Sequence, residues 1–342
     1  MNKKIKCLVW DLDNTLWDGT LTEDDNVTLF PKVAEIVKAL DERGILQSIA
    51  SKNDHDVAMA KLKEFNLDHY FIYPQISWNS KAESITNIAE TINIGIDTLA
   101  FIDDRRTERE EVKFVHSDVL TLDALEYTNL LEMDALMPRF VTADSKNRRS
   151  MYQNDIVRNQ EEEEFTGSNK EFLETLDMKL TISAVKEEDL KRVEELTVRT
   201  NQLNSTGYTY SYDELTGFID SEDHVFLTVH LKDRFGDYGK VGLCLLEEDG
   251  ESLKLKLLLM SCRVMSKGIG ATMLTHIIRI AESKKKRLFA EFLHTDRNRI
   301  MYITYKMNGF EEVESDGTKE LLEYQSTREH DYPGYIDVTV GQ

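Results

Sequence analysis

Two carboxylates two residues apart, in Asp11-Leu-Asp-Asn-Thr15, directly follow the apolar run Ile5-Lys-Cys-Leu-Val-Trp10. An acidic pair on a loop at a strand end can hold a hard cation such as Mg2+ and still present one oxygen to phosphorus as a nucleophile. An isolated Asp-x-Asp is equally an ordinary acidic turn. Three further groups bear on the choice. Ser51 closes the run Ile45 to Ala50 and offers a hydroxyl with backbone N–H groups for a phosphoryl oxygen. Lys81, in Trp78-Asn-Ser-Lys, supplies a cation against the charge that builds on a phosphoryl group in transit. Asp103 and Asp104 end the run Leu99 to Ile102 and complete a metal-ligating set with Asp11 and Asp13. All four elements sit at strand ends or loops, in an order that chance seldom assembles.

These groups need a scaffold that brings several strand ends together. Val33, Ile36, Val37 and Leu40 lie on one helix face between Val33 and Arg43, Gly44 stops that helix, and Ile45 to Ala50 is the next strand. Helices are expected through Ala58 to Phe65 and Ile85 to Ile92, and a buried strand over Leu99 to Ile102. Strands alternating with helices predict a parallel α/β sheet, whose ligands sit beyond the carboxyl ends of its strands. From residue 134 to 177 the chain turns highly charged, with Arg148-Arg149 and Glu161 to Glu164, and is expected to be a helical connector. From Met178 a second αβ block begins. Strands are expected at Leu180 to Val185, His224 to Leu231, Val241 to Glu247, Leu253 to Cys262 and Leu288 to Leu293, with helices over Gly268 to Ser283 and Asn298 to Met307. The expected division is 1–133, α/β; 134–177, connector; and 178–342, α+β with mostly antiparallel strands.

The order of the amino-terminal groups resembles the haloacid dehalogenase (HAD) superfamily of aspartate-nucleophile phosphotransferases, over roughly residues 5 to 125. The resemblance implies a Rossmann-like parallel sheet in which Asp11 is nucleophile and metal ligand, and Asp13 is general acid/base and backbone metal ligand. It also implies that Ser51 and Lys81 hold the phosphoryl group, with Asp103 on Mg2+ and Asp104 beside it. Only about 35 residues separate the Asp13 loop from Ser51 and about 30 separate Ser51 from Lys81, less than a separate lid domain requires, so no large cap is expected. Cys7 to Gly19, Ser51-Lys-Asn-Asp54, and Phe101-Ile-Asp-Asp with Glu108-Arg-Glu-Glu111 are similar to the FkbH-like branch. That likeness implies loading of a glyceryl unit from 1,3-bisphosphoglycerate onto an acyl carrier protein, with removal of phosphate. Arg105-Arg106 stands where that branch usually carries Asn-Pro.

In the second block, Leu257 to Ala271 runs from a buried strand into a helix whose first turn is Gly268-Ile-Gly270. Glycines let a backbone come close to an anion, although such a turn also serves simply to pack under a sheet. With Asn298 to Met307 and Tyr305-Lys-Met-Asn-Gly-Phe310, it resembles the Gcn5-related N-acetyltransferase (GNAT) fold over about residues 178 to 325. The resemblance implies that Arg263, Lys267, Gly268 and Gly270 hold the phosphates of CoA or of a carrier's phosphopantetheine arm. It also implies that Tyr305 protonates a leaving thiolate, the alternative being a core aromatic. Met265 occupies the place where that loop usually opens with Gln or Arg. Asn201, Gln202 and Asn204, in Thr200-Asn-Gln-Leu-Asn-Ser-Thr206, resemble an FkbH-like string and could bind a pantetheine amide chain or only shape a turn. Cys262 beside Arg263 and Lys267 could carry an acyl group; Cys7 and Cys244 lie inside strands as inert thiols.

The 342-residue chain carries 42 Lys+Arg against 63 Asp+Glu, a net charge of −21 that disfavours nucleic acid and an anionic membrane surface as partners. Asp11 and Asp13 interrupt the first apolar run too early for a signal peptide or spanning helix, so a cytoplasmic protein with reduced thiols is expected. An acidic carrier protein would need local basic docking patches, for which Lys284-Lys-Lys-Arg287, Arg105-Arg106 and Arg148-Arg149 are candidates. The alternatives to an acyl-loading enzyme are a stand-alone phosphatase with an acyltransferase-like docking module, and a non-catalytic carrier-protein adaptor.

Overall fold

The computed structural model describes residues 4–23, 26–326 and 330–341. The chain divides into two compact units, Met1–Ile156 and Val157–Gln342.

In the first unit five parallel strands run in the order Gln75–Ile76, Leu46–Ser51, Cys7–Trp10, Leu99–Asp103, Leu120–Asp123. Cys7–Trp10 is central and wholly buried because both faces of the sheet are covered: Leu8 and Trp10 enter the core built with Val33, Ile36, Val37 and Leu40, and Cys7 and Val9 the core built with Ile85, Ile88 and Ile92. A strand covered on both faces must be apolar at every position, hence the unbroken run in the sequence. Trp10 Nε1 donates to Gln47 Oε1 at 3.1 Å and Gln47 Nε2 to Val37 O at 2.8 Å, so the buried polar atoms of this strand pair are satisfied. Trp10 is level with Ile49 on one side and Ile102 on the other. The next residues, Asp11, Ala50 and Asp103, therefore emerge together at the carboxyl edge.

Two helices start earlier than the apolar spacing suggested. Asp54 caps His55–Glu64 by accepting from Val57 N, and Ser80 caps Lys81–Ile92 by accepting from Glu83 N. Lys81 is thus in the first helical turn and not in a loop. Between Asp13 and Ser51 the described residues form only the ribbon Trp17–Asp18 with Thr28–Leu29 and the helix Val33–Glu42, so no large cap is present there.

The stretch expected to be a connector contains the helices Ala143–Lys146, Arg148–Glu164 and Asn169–Thr175. Its earlier part falls in the first unit, while Phe172, Leu173 and Leu176 belong to the second unit's core.

The second unit is built on one eight-stranded sheet in the order Phe310–Ser315, Lys319–Tyr324, Arg287–Leu293, Ser252–Met260, Gly236–Asp249, His224–Asp233, Met178–Ala184, Ile336–Val340. Pairing is antiparallel except between Ser252–Met260 and Arg287–Leu293 and between Ile336–Val340 and Met178–Ala184. The first of these parallel pairs is registered only from Ser252↔Arg287 to Leu255↔Ala290, after which the two strands diverge. Leu203 to Ser205 fill the divergence: Ser205 N donates to Leu258 O at 3.0 Å, Leu258 N to Ser205 Oγ at 3.0 Å, Leu293 N to Ser205 O at 3.0 Å and Met260 N to Leu203 O at 2.8 Å. Burial pushes the thiols of Cys7 and Cys244 up, as expected for inert core cysteines, whereas Cys262 is half-buried. No helix among the described residues is long and apolar enough to cross a membrane.

Candidate active site

Every amino-terminal residue singled out from the sequence lies at the carboxyl edge of the five-stranded sheet. Lys81 Nζ binds Asp11 Oδ1 through a short contact, donates to Ala50 O at 2.6 Å and stands 3.4 Å from Asp103 Oδ2. The lysine is buried, so its charge acts on these carboxylates with little screening. Asp13 points differently. Its Oδ1 accepts from Trp17 Nε1 at 2.8 Å and Leu21 N at 3.1 Å, and its Oδ2 from Asn53 Nδ2 at 3.0 Å. Asn53 also donates to Ser51 Oγ at 3.3 Å, tying the buried serine to the same side of the site.

Asp11, Asp103 and Asp104 each present a ligand atom within 4.8 Å of the others, while the Asp13 carboxylate stays with its three donors. Asp103 Oδ2 is buried with no hydrogen-bond partner, and Arg105 N donates to Oδ1 at 2.7 Å. Burial and the charge of Asp11 push the Asp103 carboxyl up to about 7, against the opposing pull of Lys81 and the Arg105 N–H. Burial and Asp11 likewise raise Asp104, against Arg105. One ammonium is too little positive charge for three converging carboxylates. An oxygen-only, anionic donor set with an orphaned buried oxygen fits a hard divalent cation, which Asp11, Asp103 and Asp104 would hold.

The raised Asp103 gives a signed expectation. Its native pKa lies above the unfolded value, so without metal the native state holds the extra proton and stability falls as pH rises from about 4 toward 7. A bound divalent cation removes the repulsion. Melting curves at pH 6 and pH 8 should show the EDTA-treated protein less stable at pH 8 and the gain from Mg2+ larger there; a Mg2+ gain that shrinks with rising pH would contradict the assignment.

In the second unit the singled-out residues are less of a set. Asn204 takes the second of its two expected roles, shaping a turn: Oδ1 accepts from Thr206 N at 3.1 Å and Gly207 N at 2.9 Å, and Nδ2 points to Thr200 O and Tyr208 O at 3.4 Å. Asn201 is exposed, and Gln202 keeps a buried Oε1 without a hydrogen bond. Tyr305 is fully buried between Phe292 and Phe310 with the Ser205 side chain near its hydroxyl, and burial raises its pKa strongly, the arrangement of a core aromatic. Arg263 Nη2 donates to Tyr238 O at 2.8 Å, which turns the guanidinium toward that tyrosine. Lys267 is buried, Cys262 opens a short turn through Val264, and Gly268 has φ +75° at the start of Ile269–Lys284. A Cβ on Gly268 would lie 2.5 Å from the Tyr335 hydroxyl, the outer end of a side chain that can shift, so it is the backbone angle that favours glycine here. A cavity of about 210 Å³ is lined by Leu203, Met260, Met265, Gly268, Gly270 and Met301, among others.

In two of the three basic patches most of the cations are engaged within the chain. Arg148 is buried with Nη1 on Gly44 O, and Arg149 Nε pairs with Asp41 at 2.9 Å. Lys284 and Lys286 both pair with Glu248, and Arg287 with Glu323. The sequence could not show this, because each acidic partner lies tens of residues away.

Residues 17–110 match the haloacid dehalogenase-like hydrolase family. The amino-terminal unit contains a haloacid dehalogenase-like hydrolase domain. Human magnesium-dependent phosphatase 1 is 29% identical over 120 residues, 30% of this chain and 68% of the relative. Among solved structures, the amino-terminal part of protein BF1531 from Bacteroides fragilis, containing a phosphatase domain and complexed with Mg, is 29% identical, with a TM-score of 0.33. That match covers 40% of this chain and 41% of the other, less than half of its length. The PaiA N-acetyltransferase of Thermoplasma acidophilum, in complex with coenzyme A, is 20% identical, with 43% of this chain and 99% of the other covered at a TM-score of 0.35.

The haloacid dehalogenase-like domain also uses residues that the sequence reading passed over. Thr15 Oγ1 accepts from Asp104 N at 3.1 Å and lies 3.5 Å from Asp11 Oδ2, bridging two strand ends. Arg109 Nη1 donates to the carbonyls of Asp103 and Asp104 at 2.7 and 2.9 Å, and its Nη2 binds Asp123 at 2.5 Å. The one-turn spacing of Arg109 from Arg105, in the helix Arg106–Val115 that follows the Asp103–Asp104 strand end, was the available signal.

Proposed function

We propose that the chain is an acyl-loading phosphatase: the haloacid dehalogenase-like domain cleaves a phosphate ester, and the second unit takes part in placing the glyceryl group on the phosphopantetheine thiol of an acyl carrier protein. The observation that carries the phosphatase half is the buried Asp11–Lys81 pair beside Asp103 and Asp104, with a separately oriented Asp13 carboxylate. Asp11 attacks phosphorus through a carboxylate oxygen, the P–O bond to the substrate breaks, and an aspartyl phosphate forms. The leaving oxygen takes a proton from Asp13. A water then gives its proton back to Asp13 and attacks the aspartyl phosphate, releasing phosphate and restoring Asp11. Three of the lone-pair sites of Asp13 are taken by Trp17, Leu21 and Asn53, which fixes the carboxyl and leaves room for the proton it shuttles. Lys81 and Ser51 hold the phosphoryl oxygens. Mg2+, held by Asp11, Asp103 and Asp104, would supply charge neutralisation on the phosphoryl group.

The likeness of Cys7–Gly19 and of 200–206 to FkbH-like sequences supports a glyceryl donor such as 1,3-bisphosphoglycerate and a carrier-protein acceptor. A second reading, a phosphatase with a docking module, is favoured by the buried Tyr305 and by the Leu203–Ser205 segment that closes the strand divergence. Mass spectrometry of a carrier protein incubated with enzyme, Mg2+ and 1,3-bisphosphoglycerate decides between them. A glyceryl mass on the pantetheine is expected; phosphate release with every cognate carrier unmodified would leave the docking reading standing.

A further inference from the structure

The rim of the phosphatase site carries two arginines that stand outside its ion pairs. Around the Asp103–Asp104 strand end, Lys52 pairs with Glu108 at 2.9 Å and Arg109 with Asp123. Arg105 and Arg106 are exposed, and among the described residues neither guanidinium has an ion-pair or hydrogen-bond partner. Elsewhere the candidate basic patches are largely taken up by carboxylates, as expected for a chain with net charge −21. Arg105 is not remote from the chemistry. Its backbone N–H fixes Asp103 Oδ1, and its charge lowers the carboxyl of Asp104.

We propose that Arg105, with Arg106 beside it, recognises a second anionic group on the substrate, so that the site selects phosphate esters that also carry a carboxylate or another phosphate. This rests on the phosphatase reading above and names its substrate class. With the phosphoryl group held by Lys81, Ser51 and a cation over the three aspartates, the nearby unpaired guanidinium offers a planar fork matched to a carboxylate or phosphate. Among the described residues between Asp13 and Ser51 there is no large cap, so this rim does the selecting that such a lid would otherwise do. An acidic carrier protein docking on the same arginines is the competing use. It differs in leaving discrimination among small esters untouched.

Glycerol 3-phosphate and 3-phosphoglycerate form a matched pair that differs in a hydroxymethyl against a carboxylate. Wild-type enzyme with Mg2+ should favour 3-phosphoglycerate in kcat/KM by about tenfold. R105A, and in smaller measure R106A, should bring that ratio close to one through KM, and R105K should recover part of it. Equal use of the two esters by wild type, or a ratio unchanged in both variants, would overturn the proposal. Should neither ester be turned over, the phosphatase reading is what has failed, and calorimetric binding to D11N with Mg2+ still tests the arginines. Tighter binding of 3-phosphoglycerate, equalised in D11N/R105A, upholds the proposal; equal binding to D11N removes it.

Discussion

Asp11→Asn is expected to cut phosphate release by on the order of a thousandfold or more, because the amide has no nucleophilic oxygen to form the aspartyl phosphate. The variant should remain folded. An asparagine keeps an acceptor for Lys81, whose ammonium retains Ala50 O and the Asp103 carboxylate, and loss of one anion eases the crowding around Asp103. The measurement is phosphate release under saturating Mg2+, with circular dichroism as the check on folding. Activity within tenfold of wild type in a folded variant would remove Asp11 from the nucleophile's role and the aspartyl phosphate with it. The cluster should then be read as a metal site without covalent chemistry.

Asp233→Ala should cost the second unit about 3–5 kcal/mol, the largest stability effect expected of any single truncation there. The Asp233 carboxylate accepts from Arg158 Nε at 2.7 Å and Nη2 at 3.0 Å, from Tyr238 Oη at 2.9 Å, and from the backbone N–H groups of Phe235 and Gly236. Both ionic side chains are almost fully excluded from solvent, and the guanidinium sits 4.3 Å from the centroid of the Tyr238 ring. Removing the aspartate leaves a buried cation and three donors without their acceptor. Urea unfolding of the full chain, followed by a signal from the second unit, reads the loss. Arg158→Met in the same background should recover much of it, since the buried charge that has lost its carboxylate is then gone. If D233A unfolds at the wild-type urea concentration, the pair does not carry this part of the fold.

The amino-terminal site was legible because its chemistry is written locally. Asp11, Ser51 and Asp103 each follow a short apolar run that can only be a strand, and parallel register brings consecutive strand ends to one edge. Lys81 was legible as a charge near a helix but not as its first turn, since Ser80 looks like any loop serine until its hydroxyl is seen on Glu83 N. What could not be read depends on distant pairing. The 200–206 string shows amides at high density and allows a turn, but nothing in it chooses between binding and a turn for Asn204 or says that Ser205 is wedged between Leu258 and Leu293. The strands Phe310–Ser315, Lys319–Tyr324 and Ile336–Val340 were passed over because so little of each is buried: Phe310 alone in the first, Glu320 and Leu322 in the second, Ile336 alone in the third.

Arg158 shows the same limit. It lies in a stretch whose composition suggests a solvated helix, and the carboxylate that buries it is 75 residues further on.

The last strand, Ile336–Val340, pairs in parallel with the first strand of its sheet, Met178–Ala184. During synthesis Met178–Ala184 leaves the ribosome long before its outer neighbour exists, and its open ladder must wait, unpaired, for about 150 residues of translation. The carboxy-terminal sheet is therefore completed only after residue 340 clears the exit tunnel, while the first unit can already be finished. In the cell the phosphatase site would mature before its companion module, and a nascent chain stalled in between would present a bare edge to chaperones.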